Sequence, residues 1–125
     1  CHTRRQRQMC IRDRFKGKKK LERDHILRDS QLLEKAGVFS IVLECVETSL
    51  AKLVSQNITV PTIGIGASKY CDGQILVFDD LIGLNPMNYK FVKKYANIRN
   101  DISKAVSNYS NEVRKIIFPN KKNSF

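Results

Sequence analysis

Three short apolar runs divide the chain: VFSIVLECV at 38–46, TIGIGA at 62–67 and QILVF at 74–78. The first is β-branched and apolar on both faces, the pattern of a strand buried on both sides within a parallel sheet. The second follows Pro61 and ends in glycines, and the third leads into Asp79 and Asp80. Between the runs lie segments of helical period. Leu21, Ile26, Leu27, Leu32 and Leu33 predict an amphipathic helix over 20–35, stopped by Gly37. TSLAKLVSQ at 48–56 predicts a short second helix with Leu50, Leu53 and Val54 inward. Past the turn at 83–86, Phe91, Val92, Tyr95, Ile98, Ile102, Val106, Tyr109 and Val113 predict one or two long helices between 89 and 117. Strands alternating with helices argue for parallel βαβ units. Parallel strands need both faces covered and neighbours on both edges, which three strands cannot provide. The count therefore predicts a piece of a larger α/β barrel or doubly wound sheet.

Charge is the next constraint. The 125 residues carry 23 Lys and Arg against 12 Asp and Glu, a formal net charge of +11. Residues 1–20 hold nine of the basic residues and one acid, a net of +8, so the remainder is nearly balanced at +3. A basic tail can bind phosphates without sequence preference. A nucleic-acid-binding module built on residues 4–20 is therefore the alternative reading from a different class. Residues 1–14 (CHTRRQRQMCIRDR) show no hydrophobic period and are expected to be disordered and foreign to the domain, which is expected to run from 15 to 125. Lys90, Lys93 and Lys94 sit among aromatic residues and read as a solvated face over a core stripe, so nucleic-acid binding is not expected there. No run approaches the ~20 apolar residues of a membrane span, and no signal peptide is visible. The four cysteines, Cys1, Cys10, Cys45 and Cys71, are widely spaced, with only His2 and His25 to join them, so no zinc site is expected. A reduced, cytoplasmic setting is the expectation.

In parallel α/β folds, functional groups gather at the C-terminal ends of the strands. Glu44 stands there, inside IVLECV. Apolar surroundings favour the neutral form of a carboxyl group and suit it to general acid–base work. The bland reading is a strand-end carboxylate facing solvent. Gly66, in GIGA, permits close approach of backbone to a ligand, although GIGA is no G-x-G-x-x-G phosphate loop and tight packing at a strand end is the bland alternative. Ser68 and Asp72 lie in the following loop and join Gly66 as candidate substrate contacts. Asp79 and Asp80 could hold a cation, although a helix-capping role for Asp80 is the simpler expectation.

These residues occur in a series that resembles the ketopantoate hydroxymethyltransferase (3-methyl-2-oxobutanoate hydroxymethyltransferase) family. The carriers are FKGK at 15–18, AGVFSIVLECV at 36–46, LAK at 50–52, VPTIGIGAS at 60–68, CDGQILV at 71–77, DLIGL at 80–84, KFVKKYA at 90–96 and FPNKKNSF at 118–125. The resemblance implies the C-terminal part of a (β/α)8 TIM barrel of the phosphoenolpyruvate mutase-like type. It implies transfer of a hydroxymethyl group from 5,10-methylenetetrahydrofolate to 3-methyl-2-oxobutanoate, giving 2-dehydropantoate on the route to pantothenate and coenzyme A. It implies Mg²⁺, held by carboxylates in the other half of the family's chain, with no metal ligand here. It maps the family's general base onto Glu44, and it implies homo-oligomeric assembly of the complete enzyme. A mutase or lyase acting on phosphoenolpyruvate-like acids on the same barrel is a second enzymatic reading. Four positions depart from the family pattern: Glu47 replaces a proline, Ser68 a glycine, Asp79 a histidine, and Asn123 the histidine of a terminal HSF. The match supplies three strands of eight, so the chain alone is expected to be inactive.

Overall fold

A computed structural model describes residues 16–125. The basic segment 1–14, and most of the 4–20 stretch, lie outside the described residues. The described residues divide into two compact units, one holding those up to Leu76 together with Tyr89–Val92, the other Val77–Asn88 and Lys93–Phe125.

The first unit contains α1 (Lys20–Lys35), β1 (Ile41–Glu44), α2 (Thr48–Asn57), β2 (Thr62–Ile65) and β3 (Gly73–Gln74). The three strands form one sheet in the order β1-β2-β3, and both pairings are parallel. The expected βαβ alternation is therefore present. Helix α1 ends where Gly37 turns the backbone at φ 87 and donates its N–H to the Glu34 carbonyl at 2.9 Å. The Glu34 carboxylate then accepts from Thr59 Oγ1 at 2.7 Å and from the Val60 amide at 3.2 Å, tying this helix end to the segment before β2.

The core lies on one face of the sheet. Ile41, Leu43, Val46, Leu50, Ala51, Val54, Ile58 and Cys71 form it, with Ile26 and Leu27 of α1 packed against it. Leu50, Ala51 and Val54 are fully buried and occupy one side of α2, whereas Leu53, expected inward, is exposed. Burial alternates along β1: Ile41 and Leu43 are buried, Val42 and Glu44 exposed. The sequence predicts a strand covered on both faces; among the described residues α1 and α2 cover the face that carries Ile41 and Leu43, and the other face is exposed. The α1 stripe is likewise half used, since Leu21, Leu32 and Leu33 remain exposed.

The third strand is shorter than the apolar run 74–78 suggests. After Gln74, one more ladder bond runs from the Ile75 amide to the Gly64 carbonyl at 3.0 Å, and the chain then leaves the sheet. Among the described residues β3 pairs with β2 alone, and Val77 and Phe78, beyond the strand, are exposed.

The second unit contains α3 (Phe78–Leu81) and α4 (Ile98–Arg114). The helix expected from Tyr89 begins only at Ile98. The amides of Tyr95 and Ile98 donate to the carbonyls of Leu81 and Ile82, at 2.8 and 3.1 Å, which holds residues 95–97 along the end of α3. Gly83 permits that approach, because a Cβ built there would fall 2.3 Å from the Ala96 carbonyl oxygen. Helix α4 buries none of its residues: Ile102, Val106, Tyr109 and Val113 form an exposed stripe. No described helix is long and apolar enough to cross a membrane.

Candidate functional site

Glu44 is the last residue of β1 and pairs in register with Ile65, the last residue of β2. Because the strands run parallel, Glu44 and the GAS loop that begins at Gly66 share the C-terminal end of the sheet. The backbone around Glu44 is held tightly. The Cys45 amide donates to the Ile65 carbonyl at 2.9 Å, and the Cys45 carbonyl accepts from the Lys16 amide at 2.8 Å. Cys45 itself is buried in the left-handed region at φ 52, a conformation that costs a non-glycine residue roughly 1–2 kcal/mol. Strain of this kind persists where surrounding contacts over-determine it and gathers at functional positions. Among the described residues no apolar enclosure of the kind expected surrounds the Glu44 side chain. Its sequence neighbours Leu43 and Cys45 are buried, while the Glu44 side chain lies exposed on the opposite face with Val42.

Gly66 has φ 63, and an added Cβ would lie 2.7 Å from Cγ of Phe91. The glycine is thus explained by an aromatic ring packed on the loop, the tight-packing alternative at this position. Ser68 is buried; its hydroxyl accepts from the Tyr70 amide at 3.2 Å and its carbonyl from Gln74 Nε2 at 2.7 Å. A cleft of ≈ 560 Å³ opens beside this loop, lined by Thr48, Gly66, Ser68, Lys69, Lys90 and Phe91 among others.

Asp72 is placed elsewhere. Its Oδ2 accepts from the Thr62 amide at 2.7 Å and from Thr62 Oγ1 at 2.9 Å, and these bonds hold its carboxyl below the usual carboxylate range. Thr62 begins β2, three residues or about 10 Å along the strand from the register partner of Glu44. The structure therefore groups Glu44, Gly66 and Ser68 at one end of the sheet and sets Asp72 at the other, as a clamp between a loop and a strand start.

The remaining candidates separate in the same way. Asp80 does not cap the helix; it lies within α3, buried, and accepts from Asn85 Nδ2 at 2.6 Å. The cap position belongs to Val77. Lys94 Nζ donates to the Asn85 carbonyl at 3.1 Å, and Lys93 Nζ sits 4.9 Å from the Tyr95 ring centre. Among the described residues, no three His, Cys, Asp or Glu side chains come together to hold a metal ion.

Sequence reasoning missed the role of Glu47, which it treated only as a departure from a pattern. Glu47 stands at the N-terminus of α2, where it accepts from Ser49 Oγ at 2.6 Å and from the amides of Ser49 and Leu50 at 3.0 and 3.1 Å. Arg23 of α1 reaches the same carboxylate at 2.8 Å. The Ser49 hydroxyl and amide, followed by Arg23 and the Leu50 amide, lower its pKa to about 2. An acid directly before Thr-Ser at a helix start was the available signal.

A model of the family described as "Ketopantoate hydroxymethyltransferase" matches residues 5–121. The chain belongs to the ketopantoate hydroxymethyltransferase family. Relatives named 3-methyl-2-oxobutanoate hydroxymethyltransferase include one from Pelagibacter ubique, 59% identical over 112 residues, covering 90% of this chain and 44% of the relative. One from Enterococcus faecalis is 46% identical over 113 residues, covering 90% and 41%. One from Thermotoga maritima is 46% identical over 113 residues, covering 90% and 42%. The chain thus spans less than half the length of these family members.

Proposed function

We propose that this chain is the C-terminal part of a (β/α)8 barrel that transfers a hydroxymethyl group from 5,10-methylenetetrahydrofolate to 3-methyl-2-oxobutanoate, with Glu44 as the general base. The observation that carries this reading is the position of Glu44. It ends a parallel strand at the C-terminal edge of the sheet, in register with the residue that leads into the Gly66 loop. Active sites of α/β barrels are built at that edge. Two features support a sheet that continues beyond β1: an isolated parallel bridge joins Lys16 to Val46, and the Val42–Glu44 face is exposed. Continuation of that sheet in the complete protein would place Glu44 inside the barrel.

The chemistry assigned to this chain is one proton transfer. The Glu44 carboxylate takes the proton from C3 of the keto acid, and the electron pair of the broken C–H bond becomes the enolate. The enolate carbon then bonds to the one-carbon unit of the donor, whose two C–N bonds break while water supplies the hydroxyl oxygen, and tetrahydrofolate leaves having taken up the proton from Glu44 and one from the water. Pinning of the backbone at Cys45, directly after Glu44, holds the strand end from which the carboxylate projects, and placement of the base is a condition for its work. Mg²⁺ would polarise the keto acid carbonyl in the family, but the described residues do not fit it. Gly66 and Ser68 are proposed to shape the substrate end of the site through their backbone.

In the full-length protein, Glu44→Gln should abolish deuterium exchange at C3 of 3-methyl-2-oxobutanoate while leaving keto acid affinity within a few-fold of the parent. Exchange at the parent rate in that variant would remove Glu44 from the base role.

A further inference from the structure

We infer that the left-handed turn at residue 45 is a positioning device for the base: it ends β1 directly after Glu44 and keeps the face that carries the carboxylate clear. The inference rests on the role proposed above for Glu44. An extended strand sends successive side chains to opposite faces. β1 obeys this through Glu44, with Ile41 and Leu43 buried and Val42 and Glu44 exposed. Cys45 continues the alternation, at 4% exposure. Val46 breaks it. An unbroken strand would set Val46 on the face of Val42 and Glu44, yet Val46 is 6% exposed and belongs to the core with Leu43 and Leu50. The residue between them is the one at φ 52. Its turn redirects the backbone, sends Val46 into the core and leaves Glu44 the last side chain of β1 on its face.

The turn is held from two sides. Its amide donates to the Ile65 carbonyl of β2, and its carbonyl accepts from the Lys16 amide. The Glu47 amide then donates to the Lys16 carbonyl at 2.8 Å, which completes the parallel bridge between Lys16 and Val46. Residues 16 and 17 are themselves tied to α1. The Gly17 amide donates to Glu22 Oε2 at 2.8 Å, and the Gly17 carbonyl accepts from Arg23 Nη1 at 3.3 Å. The same guanidinium nitrogen reaches Glu47 Oε2 at 2.8 Å. Both backbone polar groups of residue 45 are thus engaged, one on β2 and one on the strap at 16–17. Contacts of this kind sustain a backbone conformation that a non-glycine residue otherwise avoids. The thiol plays no part in the inference; the sign of φ does. A misplacement of about 1 Å is enough to cost a reaction on the order of 100-fold in rate.

The test measures deuterium exchange at C3 of 3-methyl-2-oxobutanoate, and urea midpoints, in the full-length protein. Glycine adopts a left-handed φ freely, whereas β-branched residues resist it. Cys45→Gly should therefore exchange within about threefold of the parent. Cys45→Val and Cys45→Thr should each lose about tenfold or more in exchange rate with KM for the keto acid within about threefold, the split expected of a misplaced base beside an intact substrate site. Cys45→Gly should also have a higher urea midpoint than Cys45→Ala, the reverse of the usual order in a strand. Gly37→Ala strains a left-handed turn ahead of β1. It should lower the midpoint while leaving the exchange rate at the parent level. Circular dichroism verifies folding, and should neither β-branched variant fold, the order of the glycine and alanine midpoints decides. Exchange near the parent rate in a folded Cys45→Val or Cys45→Thr protein overturns the inference. So does an equal loss in Cys45→Gly or Gly37→Ala, or a Cys45→Ala midpoint at or above that of Cys45→Gly. Glu44→Gln is measured alongside. Lost exchange there with parent-rate exchange in Cys45→Val rejects the turn and keeps the base, whereas parent-rate exchange in Glu44→Gln rejects the base itself.

Discussion

Glu47 shows how much one side chain can organise. Its carboxylate satisfies two amides of the first turn of α2, which have no partner within the helix, and joins α2 to α1 through Arg23. Its pKa is lowered to about 2 in the fold from an ordinary 4.5, so its stabilisation is complete above pH 4.5. That stabilisation is lost as pH falls from 4.5 toward 2. Asp72 and Glu34, also lowered by hydrogen bonds, act with the same sign. Glu47→Gln should cost about 0.5–2 kcal/mol at pH 7, the scale of a lost helix cap. It should also flatten the acid limb of a plot of urea midpoint against pH; an unchanged limb would refute the role. The two glycines at 37 and 66 offer a controlled comparison. Both have positive φ, but a Cβ at Gly37 meets nothing within 4 Å, whereas at Gly66 it meets Phe91. Gly37→Ala should cost roughly 1–2 kcal/mol from backbone strain alone. Gly66→Ala should cost more and should release Phe91 from the cleft wall, which urea melts and aromatic NMR shifts would report.

Among the elements, α2 anchors the core of the first unit. Leu50 and Val54 are fully buried, and Leu50 packs so closely on Gly17 that an added Cβ there would fall 2.3 Å from Leu50 Cδ2. Leu50→Ala should destabilise this unit by about 2–5 kcal/mol, because the vacated space cannot fully collapse. Leu53→Ala on the exposed side of the same helix should cost well under half of that. Equal shifts of the two urea midpoints would contradict the assigned face. The strands follow the same logic. Among the described residues, β1 shows period-two burial with one face covered, and β3 is short with β2 as its partner on one edge. Helix α4 keeps its amphipathic spacing with every residue at least partly exposed.

At the scale of the whole molecule, the exposed features agree with the length of the relatives. Three parallel strands, an exposed β1 face and a bridge at Lys16 accompany a chain that spans 41–44% of family members. The described residues hold no cluster able to bind a metal, and Glu44 lies in the open. The purified 125-residue chain should therefore form no hydroxymethylated product from methylenetetrahydrofolate and the keto acid with Mg²⁺ present. The same residues within a full-length protein should form it. Mg²⁺-dependent turnover by the chain alone would contradict the view that the site needs the other strands.

Pattern and motif carried the class of fold, the βαβ order, the bounds of α1 and α2 to within a residue, and the family. They did so because side-chain period, glycine stops and motif spacing are local properties of the chain. They also placed Glu44 and Gly66 near strand ends, and the parallel register set the two ends side by side. What the residues left open depends on neighbours distant in sequence. Hydrophobicity marks Val42, Val77 and Val106 as core residues, but burial requires another element to lie over them, and these three remain exposed. The sequence leaves the partners of Asp72 and Asp80 open, and the tertiary structure pairs them with Thr62 and Asn85. Lys69 and Lys90 are ordinary surface lysines in the sequence, and only the folded path of the chain brings both to one cleft.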